Sequence, residues 1–483
     1  MAVADEARAT VNSVGEGCAG AVVGPNMGRR SLPAGAGGVA DVGIALALLV
    51  VAAFVLLRAA ETVPFHGDES EWIAAGRYFR FVFLDHDVTS QVWRPSWLNR
   101  DQPPLGRYII GGIVWASGTD PEKVNRTYAW ERDYELNLRE GRVPEPHILK
   151  PVRRAMALVG AVSIVLLFVA GRLVGGTLVG AVAGFVATFS PLLQSYFVQA
   201  RTEALLAFFS TLALVALLAF ARTYQRSGKL RPVGWCVGLL LGLALATKLT
   251  AAVGIVGACA YGGAAALARL RTARQEAMRL IGWSAATGLL ATLVWVAANP
   301  FLWPDPVGRT WSMLEQQQAI MVEQGVEFGN PVETPLPGRL LLMVRRSFGE
   351  NSTPAFDYGA PRGSEPLIRR TFSDLPIVLG LSVELVLAAI GLVVLIGRVA
   401  TVWWSGVRHG SETALLWWLA AYFIGIGANL SLDWPRYYVP TAFYGAILIG
   451  LGVQAIVTAA ARWLSRSSPV TAPAVGPPAE AAG

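Results

Sequence analysis

Charge is scarce in this sequence of 483 residues: 15% are charged against 54% apolar, and the mean hydropathy is +0.47. That balance excludes an ordinary soluble domain and implies a polytopic membrane protein. Cysteine is rarer still. Cys18 lies in a polar tail, while Cys236 and Cys259 lie in apolar runs, which excludes a disulfide framework and a cysteine-based metal site. The four histidines, His66, His86, His147 and His409, show neither HExxH nor metal-ligand spacing, so no metal or other cofactor is indicated. Lysine occurs only at 123, 150, 229 and 248, and the other basic residues are arginine, a bias that suggests a GC-rich prokaryotic genome. The net charge of +7 is what cytoplasmic loops of a membrane protein supply, and it gives no reason to invoke nucleic acid.

Apolar runs divide the chain. Residues 1 to about 38 read as a disordered cytoplasmic tail, and Arg29 and Arg30 hold the N-terminus inside ahead of an uncleaved anchor, Val42 to Ala60. Further spans read as Met156 to Val174, Thr177 to Tyr196, Ala204 to Ala221, Val233 to Thr247, Leu249 to Leu267, Leu280 to Ala298, Leu375 to Gly397, Thr413 to Leu430 and Tyr438 to Ala460. The expected class is an all-α bundle of about ten transmembrane helices. Tyr108 to Ser117 is too short to cross, and leaving it out places Arg172, the clusters at 222–231 and 269–279, and Arg398, Arg408, Arg462 and Arg466 all on the cytoplasmic side. Two large regions then lie outside, Glu61 to Arg154 and Asn299 to Asp374; the second holds a candidate interfacial helix, Arg309 to Glu327. The tail after Ser465, rich in Pro and Ala, reads as disordered.

The chemistry-bearing stretch is Phe65-His66-Gly67-Asp68-Glu69-Ser70-Glu71-Trp72, just after the first span. A surface helix follows, with Trp72, Ala75 or Gly76, Phe79, Val82 and Phe83 on one face. Asp68 with Glu71 also fits a plain N-cap and capping box, which needs no function. Three basic residues stand alone at outer span ends, where such residues are disfavoured: Arg201 in Gln199-Ala-Arg-Thr-Glu203, Lys248 in Ala246-Thr-Lys-Leu-Thr250, and Arg436 in Asp433-Trp-Pro-Arg-Tyr437. Each can snorkel to the headgroups; together on the face of Asp68 they favour an anionic ligand.

The order of these segments resembles the GT-C glycosyltransferases of the protein O-mannosyltransferase and lipid A aminoarabinose transferase type. The resemblance covers roughly residues 40 to 460 and rests on Asp68-Glu69 after the first span and on Gln102-Pro-Pro-Leu-Gly-Arg107 before a short apolar helix. It continues through Ser190-Pro191 leading to Arg201-Thr-Glu203, the Gly242 to Lys248 segment, and Arg436-Tyr437 before the last span. The family's His-Pro-Pro-Leu-Gly-Lys appears here with Gln102 and Arg107, and the second outer region is too short for the extra domain of the eukaryotic protein mannosyltransferases.

The resemblance implies a polyprenyl-phosphate sugar donor and an acceptor hydroxyl on protein, lipid or glycan, with a hexosyl or pentosyl group transferred with inversion on the outer face of a prokaryotic plasma membrane. It implies Asp68 as general base with Glu69 beside it, and Arg201, Lys248, Arg436 and Arg107 on the donor phosphate. His66, Gln102, Glu203 and Tyr437 are left as substrate contacts. The leaving phosphate is already ionised, so the acceptor needs a base but the leaving group needs no acid. Two other classes compete: a lipid or solute transporter or flippase, which would place charges at mid-membrane or show internal repeats, and a non-catalytic envelope scaffold.

Overall fold

A computed structural model describes residues 36–328, 332, 334–348 and 382–467. Most of the tail expected over residues 1 to 38, the tail from 468 onward and much of the second outer region lie outside the described residues. The chain divides into two units, Met1–Gly43 and Ile44–Gly483; of the first, the described part is the opening of the first helix.

Among the described residues the structure is helical, without β-strands. Helix α1 (Ala36–Thr62) precedes four short helices, α2 (Gly67–Ala74), α3 (Trp97–Asp101), α4 (Leu105–Ala116) and α5 (Tyr134–Arg139). Long helices follow: α6 (Pro146–Gly175), the pair α7 (Thr177–Phe189) and α8 (Pro191–Val198), α9 (Glu203–Ser227), α10 (Val233–Thr247), α11 (Ala252–Arg269) and α12 (Arg274–Ala297). The chain continues through α13 (Pro306–Phe328), α14 (Leu336–Phe348), α15 (Val383–Trp404), α16 (Ser411–Ala428) and α17 (Pro435–Ser467).

Each of the ten expected spans coincides with helix over most of its described length, the described residues are all-α, and the chain is a multi-pass membrane protein, with seven or eight candidate spans in place of the expected ten. Among the described residues seven helices are long and apolar enough to cross a bilayer: α1, α6, α9, α11 with its preceding turn, α12, α15 and α17. The bent pair α7–α8 makes an eighth when it is counted as one broken span. Helix α10, at 15 residues, reaches only about 22 Å. The start of the expected Leu375 to Gly397 span lies outside the described residues, and the described helix runs on to Trp404. The expected helix at 309–327 forms within α13.

The span expected over Thr177 to Tyr196 breaks instead, bending by 68°. Pro191 has no N–H to continue the ladder and pushes Ser190 into extended backbone, where the Ser190 hydroxyl caps the new helix by accepting from Leu193 N. The break matters because α8 delivers the chain to Gln199–Thr202, the loop that carries Arg201. Glycine ends α6 and α9, with Gly176 at φ 92° and Gly228 at φ 63° supplying backbone that other residues adopt only with strain.

Packing follows the small residues. Helix α17 lies against α15 and α7, α6 against α7 and α9, α10 against α9 and α12, and α11 against α12 and α16. The α15–α17 crossing is closest at glycine: a Cβ on Gly391 would overlap the Leu448 carbonyl, and one on Gly452 would overlap that of Leu387. Gly397, on the same helix α15, has open space where its Cβ would stand. Gly391→Ala is therefore expected to lower the thermal midpoint in detergent by an amount worth about 1–3 kcal/mol, while Gly397→Ala leaves it unchanged or raised. Equal midpoints in the two variants would contradict this crossing.

Candidate active site

The turn after α1 builds the site. His66 caps α2, its Nδ1 accepting from Asp68 N at 3.1 Å while Glu69 Oε2 accepts from His66 N at 3.1 Å. The capping box expected between Asp68 and Glu71 is thus corrected: the pair is His66 and Glu69, and Asp68, one residue past the first helical position, keeps its carboxylate for other partners. Burial pulls His66 down to about 4, with Asp68 opposing and Arg201 and Arg436 assisting. The ring is neutral at pH 7, so its 3.7 Å approach to Asp68 is no ion pair.

Glu69 is fully buried and fully engaged. Arg153 of α6 holds it from Nε to Oε1 at 2.8 Å and from Nη2 to Oε2 at 2.5 Å, and Ala200 N donates to Oε1 at 2.8 Å. The same guanidinium donates to the carbonyls of Val63 and Pro64 at 2.7 and 3.0 Å, closing the C-terminal end of α1. Glu69 therefore welds α1, α2, α6 and the 199–202 loop together. Expected beside the catalytic base, it receives four donors on its two oxygens and is committed to the frame.

Around Asp68 the sequence-predicted cations meet. Arg201 Nη2 lies 2.8 Å and Arg436 Nη1 3.1 Å from Asp68 Oδ2, so both address one oxygen. Lys248 Nζ lies 2.8 Å from Glu203 Oε1, which also receives Arg201 Nη2 at 3.5 Å. Arg201 is 3% exposed, too deep for the snorkelling reading. Arg201 Nε and Glu203 Oε2, both buried, have no hydrogen-bond partner. Arg436 is held over the rings of Trp434 at 4.2 Å and Tyr437 at 5.5 Å, which places Tyr437 beside the cluster. Three cations thus face two carboxylates, leaving an excess of one positive charge. Burial pushes the Asp68 carboxyl up, but Arg201, then His66, Arg436 and Lys248, outweigh it and hold it well below the usual carboxylate range.

Arg107 is elsewhere. Expected on a phosphate, its guanidinium is buried apart from the Asp68 cluster, donates to Leu98 O at 2.6 Å and stacks near Trp72 and Tyr78, so it fastens α4 to α3. Gln102 is half-buried, and its buried Oε1 has no partner. Its neighbour Asp101 accepts from Gln317 of α13 at 2.8 Å, and burial first, then Asp68, raises its pKa, against Arg107 and Gln317. Sequence reasoning missed Arg153, though a basic residue near an outer span end was the same signal that exposed Arg201. No group of three His, Cys, Asp or Glu positioned to hold a metal ion occurs among the described residues.

No family model matches the sequence, and no curated protein matches it. Among solved structures, the chain is similar to the archaeal oligosaccharyltransferase AglB of Archaeoglobus fulgidus, in complex with an inhibitory peptide and a dolichol-phosphate, at 14% identity and a TM-score of 0.47; the alignment covers 89% of this chain and 52% of that one. It is similar to ArnT of Cupriavidus metallidurans bound to undecaprenyl phosphate at 16% identity and a TM-score of 0.42, covering 90% and 66%. It is also similar to the S. cerevisiae protein O-mannosyltransferase Pmt1-Pmt2 complex bound to the sugar donor, at 15% identity and a TM-score of 0.40, covering 54% and 33%. These three are members of the GT-C superfamily, and the chain spans about half the length of the archaeal enzyme.

The geometry separates the two adjacent acids. Glu69→Gln strands a buried arginine and is expected to cost about 3–5 kcal/mol, read as loss of the monodisperse peak in detergent. Asp68→Asn keeps an oxygen for Arg201 and is expected to stay folded with a smaller drop in thermal midpoint. The reverse order of stability would contradict the assignment of roles.

Proposed function

We propose that this chain transfers a hexosyl or pentosyl group from a polyprenyl-phosphate donor to an acceptor hydroxyl on a protein, lipid or glycan. The observation that carries the reading is the convergence of Arg201, Lys248 and Arg436, from three separate segments, around Asp68 and Glu203 with one positive charge in excess. A lipid phosphodiester carries one negative charge, and arginine meets phosphate through paired N–H donors.

Arriving phosphate competes with Asp68 for Arg201 and Arg436. As the guanidiniums turn to phosphate oxygens, the attraction that depresses the Asp68 pKa weakens, and the carboxylate becomes a better base. Asp68 then takes the acceptor proton while the acceptor oxygen bonds to the anomeric carbon from the side opposite the phosphate. The carbon–oxygen bond to phosphate breaks, its electron pair stays on the phosphate oxygen, and the anomeric centre inverts. Charge growing on that phosphate faces fixed cations, the arrangement that most lowers such a barrier. Trp434 and Tyr437 keep Arg436 in place, and Glu203 does the same for Lys248 and Arg201.

The site is assigned to the outer face of a prokaryotic plasma membrane from the charge of the loops, since arginine clusters gather at the opposite helix ends. Glu131 is 75% exposed. In a chain lacking Cys18, Cys236 and Cys259, a cysteine at Glu131 is expected to react with an impermeant maleimide on intact cells; reaction only after permeabilisation would overturn the orientation. The activity itself is tested by release of polyprenyl phosphate from a panel of polyprenyl-phosphoryl hexoses and pentoses. Asp68→Asn is expected to reduce release by about 10²–10⁴, the usual worth of a general base, and full release in that variant would refute the assignment.

A further inference from the structure

Two further acids, Glu71 and Asp101, lie within electrostatic reach of Asp68. Asp68 and Glu71 are three residues apart on α2 and so share a helix face. Trp130, from the segment between α4 and α5, donates its indole N–H to Glu71 Oε1 at 3.0 Å. That indole is itself pressed onto the start of α2, where a Cβ on Gly67 would stand 2.7 Å from its ring. The carboxyl of Glu71 is therefore fixed from outside its own helix.

Among the described residues no Lys or Arg lies within ion-pair distance of Glu71. The charged groups that bear on it are Asp68 on α2, Asp101 from α3 and Arg107 from α4, while Glu69 on the same helix is neutralised by Arg153. Burial first, then Asp68 and Asp101, push it up to about 7, against the Trp130 hydrogen bond and Arg107.

We infer that Glu71 is a positioning residue of the anion site: fixed beside Asp68 by Trp130, its carboxyl sets the net charge that this face presents to a lipid phosphate. The inference rests on the lipid-phosphate reading above. With Glu71 protonated, three cations face two carboxylates and the excess positive charge attracts a phosphodiester. With Glu71 ionised, three cations face three carboxylates and the excess is gone, while the added charge beside Asp68 raises the basicity of Asp68. Donor affinity and base strength therefore move in opposite directions as Glu71 titrates.

A carboxyl raised on folding also weakens the fold as it ionises. Between the ordinary glutamate range and about 7 the folded chain holds a proton that the unfolded chain has lost, so stability falls as pH rises through that window. Glu71→Gln keeps an oxygen for Trp130 and cannot ionise. It is expected to melt above the wild-type chain at pH 8 and to lose that advantage as pH falls to about 4, below the ordinary glutamate range, a pH dependence that a purely structural hydrogen bond would not produce.

The binding test uses methyl farnesyl phosphate, a prenyl phosphodiester whose single charge is constant from pH 6 to 8, with the purified full-length chain. Wild-type affinity is expected to fall about five- to tenfold across that range, the order for one charge added to a partly buried site at an effective dielectric of about 20. Glu71→Gln is expected to show no slope, and Arg201→Gln to bind weakly throughout. A wild-type slope retained in Glu71→Gln overturns the inference and leaves the lipid-phosphate reading standing. If the wild-type chain fails to bind the diester, or Arg201→Gln binds as wild type does, the lipid-phosphate reading fails and the inference falls with it.

Discussion

The carboxylate of Glu69 lies fully buried between four segments, and a buried charge is tolerated only where a partner of opposite sign and enough hydrogen bonds surround it. Arg153 supplies the charge, and Ala200 N and His66 N complete the shell. One oxygen receives the backbone of the loop that carries Arg201, and the other receives the cap of the helix that carries Asp68. The 2.8 Å approach of Arg201 to Asp68 is thus a consequence of how Glu69 is satisfied. The frame is polar, yet it does the work that apolar packing does deeper in the bundle, where glycine lets α15 and α17 touch.

On that frame the site is a balance of charge. Asp68 would be a weak acid if it were merely buried; the neighbouring cations, Arg201 foremost, reverse that and leave it a poor base while Arg201 and Arg436 hold it. On the proposed reading, an arriving anion that fills the cradle also releases the base. Glu71 adds an acid to this balance, and its position beside Asp68 and Asp101 lowers stability at neutral pH in a way that a site shaped for stability alone would avoid.

Much of this was legible in the sequence. Span lengths and the arginine clusters gave the helical architecture, and the rule that disfavours basic residues at outer ends marked Arg201, Lys248 and Arg436, which do converge. Three things were not legible. Adjacent acids look alike in sequence, and what separates Glu69 from Asp68 is Arg153, 84 residues away, which occupies only the first. The capping pair shifted because a histidine can cap a helix as serine does, which released Asp68 and Glu71 from the plainest reading of their spacing. Arg107 reads as a cation near a functional motif, but its burial between Trp72 and Tyr78 is a property of tertiary packing.

The central claim is that one anion site is shared in turn by Asp68 and a lipid phosphate. The direct measurement is an experimental structure of the full chain with a bound prenyl phosphodiester. The account predicts guanidinium nitrogens of Arg201 and Arg436 at about 2.7–2.9 Å from phosphate oxygens, with the Asp68 carboxylate released from both. Phosphate bound elsewhere, with the two arginines still on Asp68 Oδ2, would contradict it.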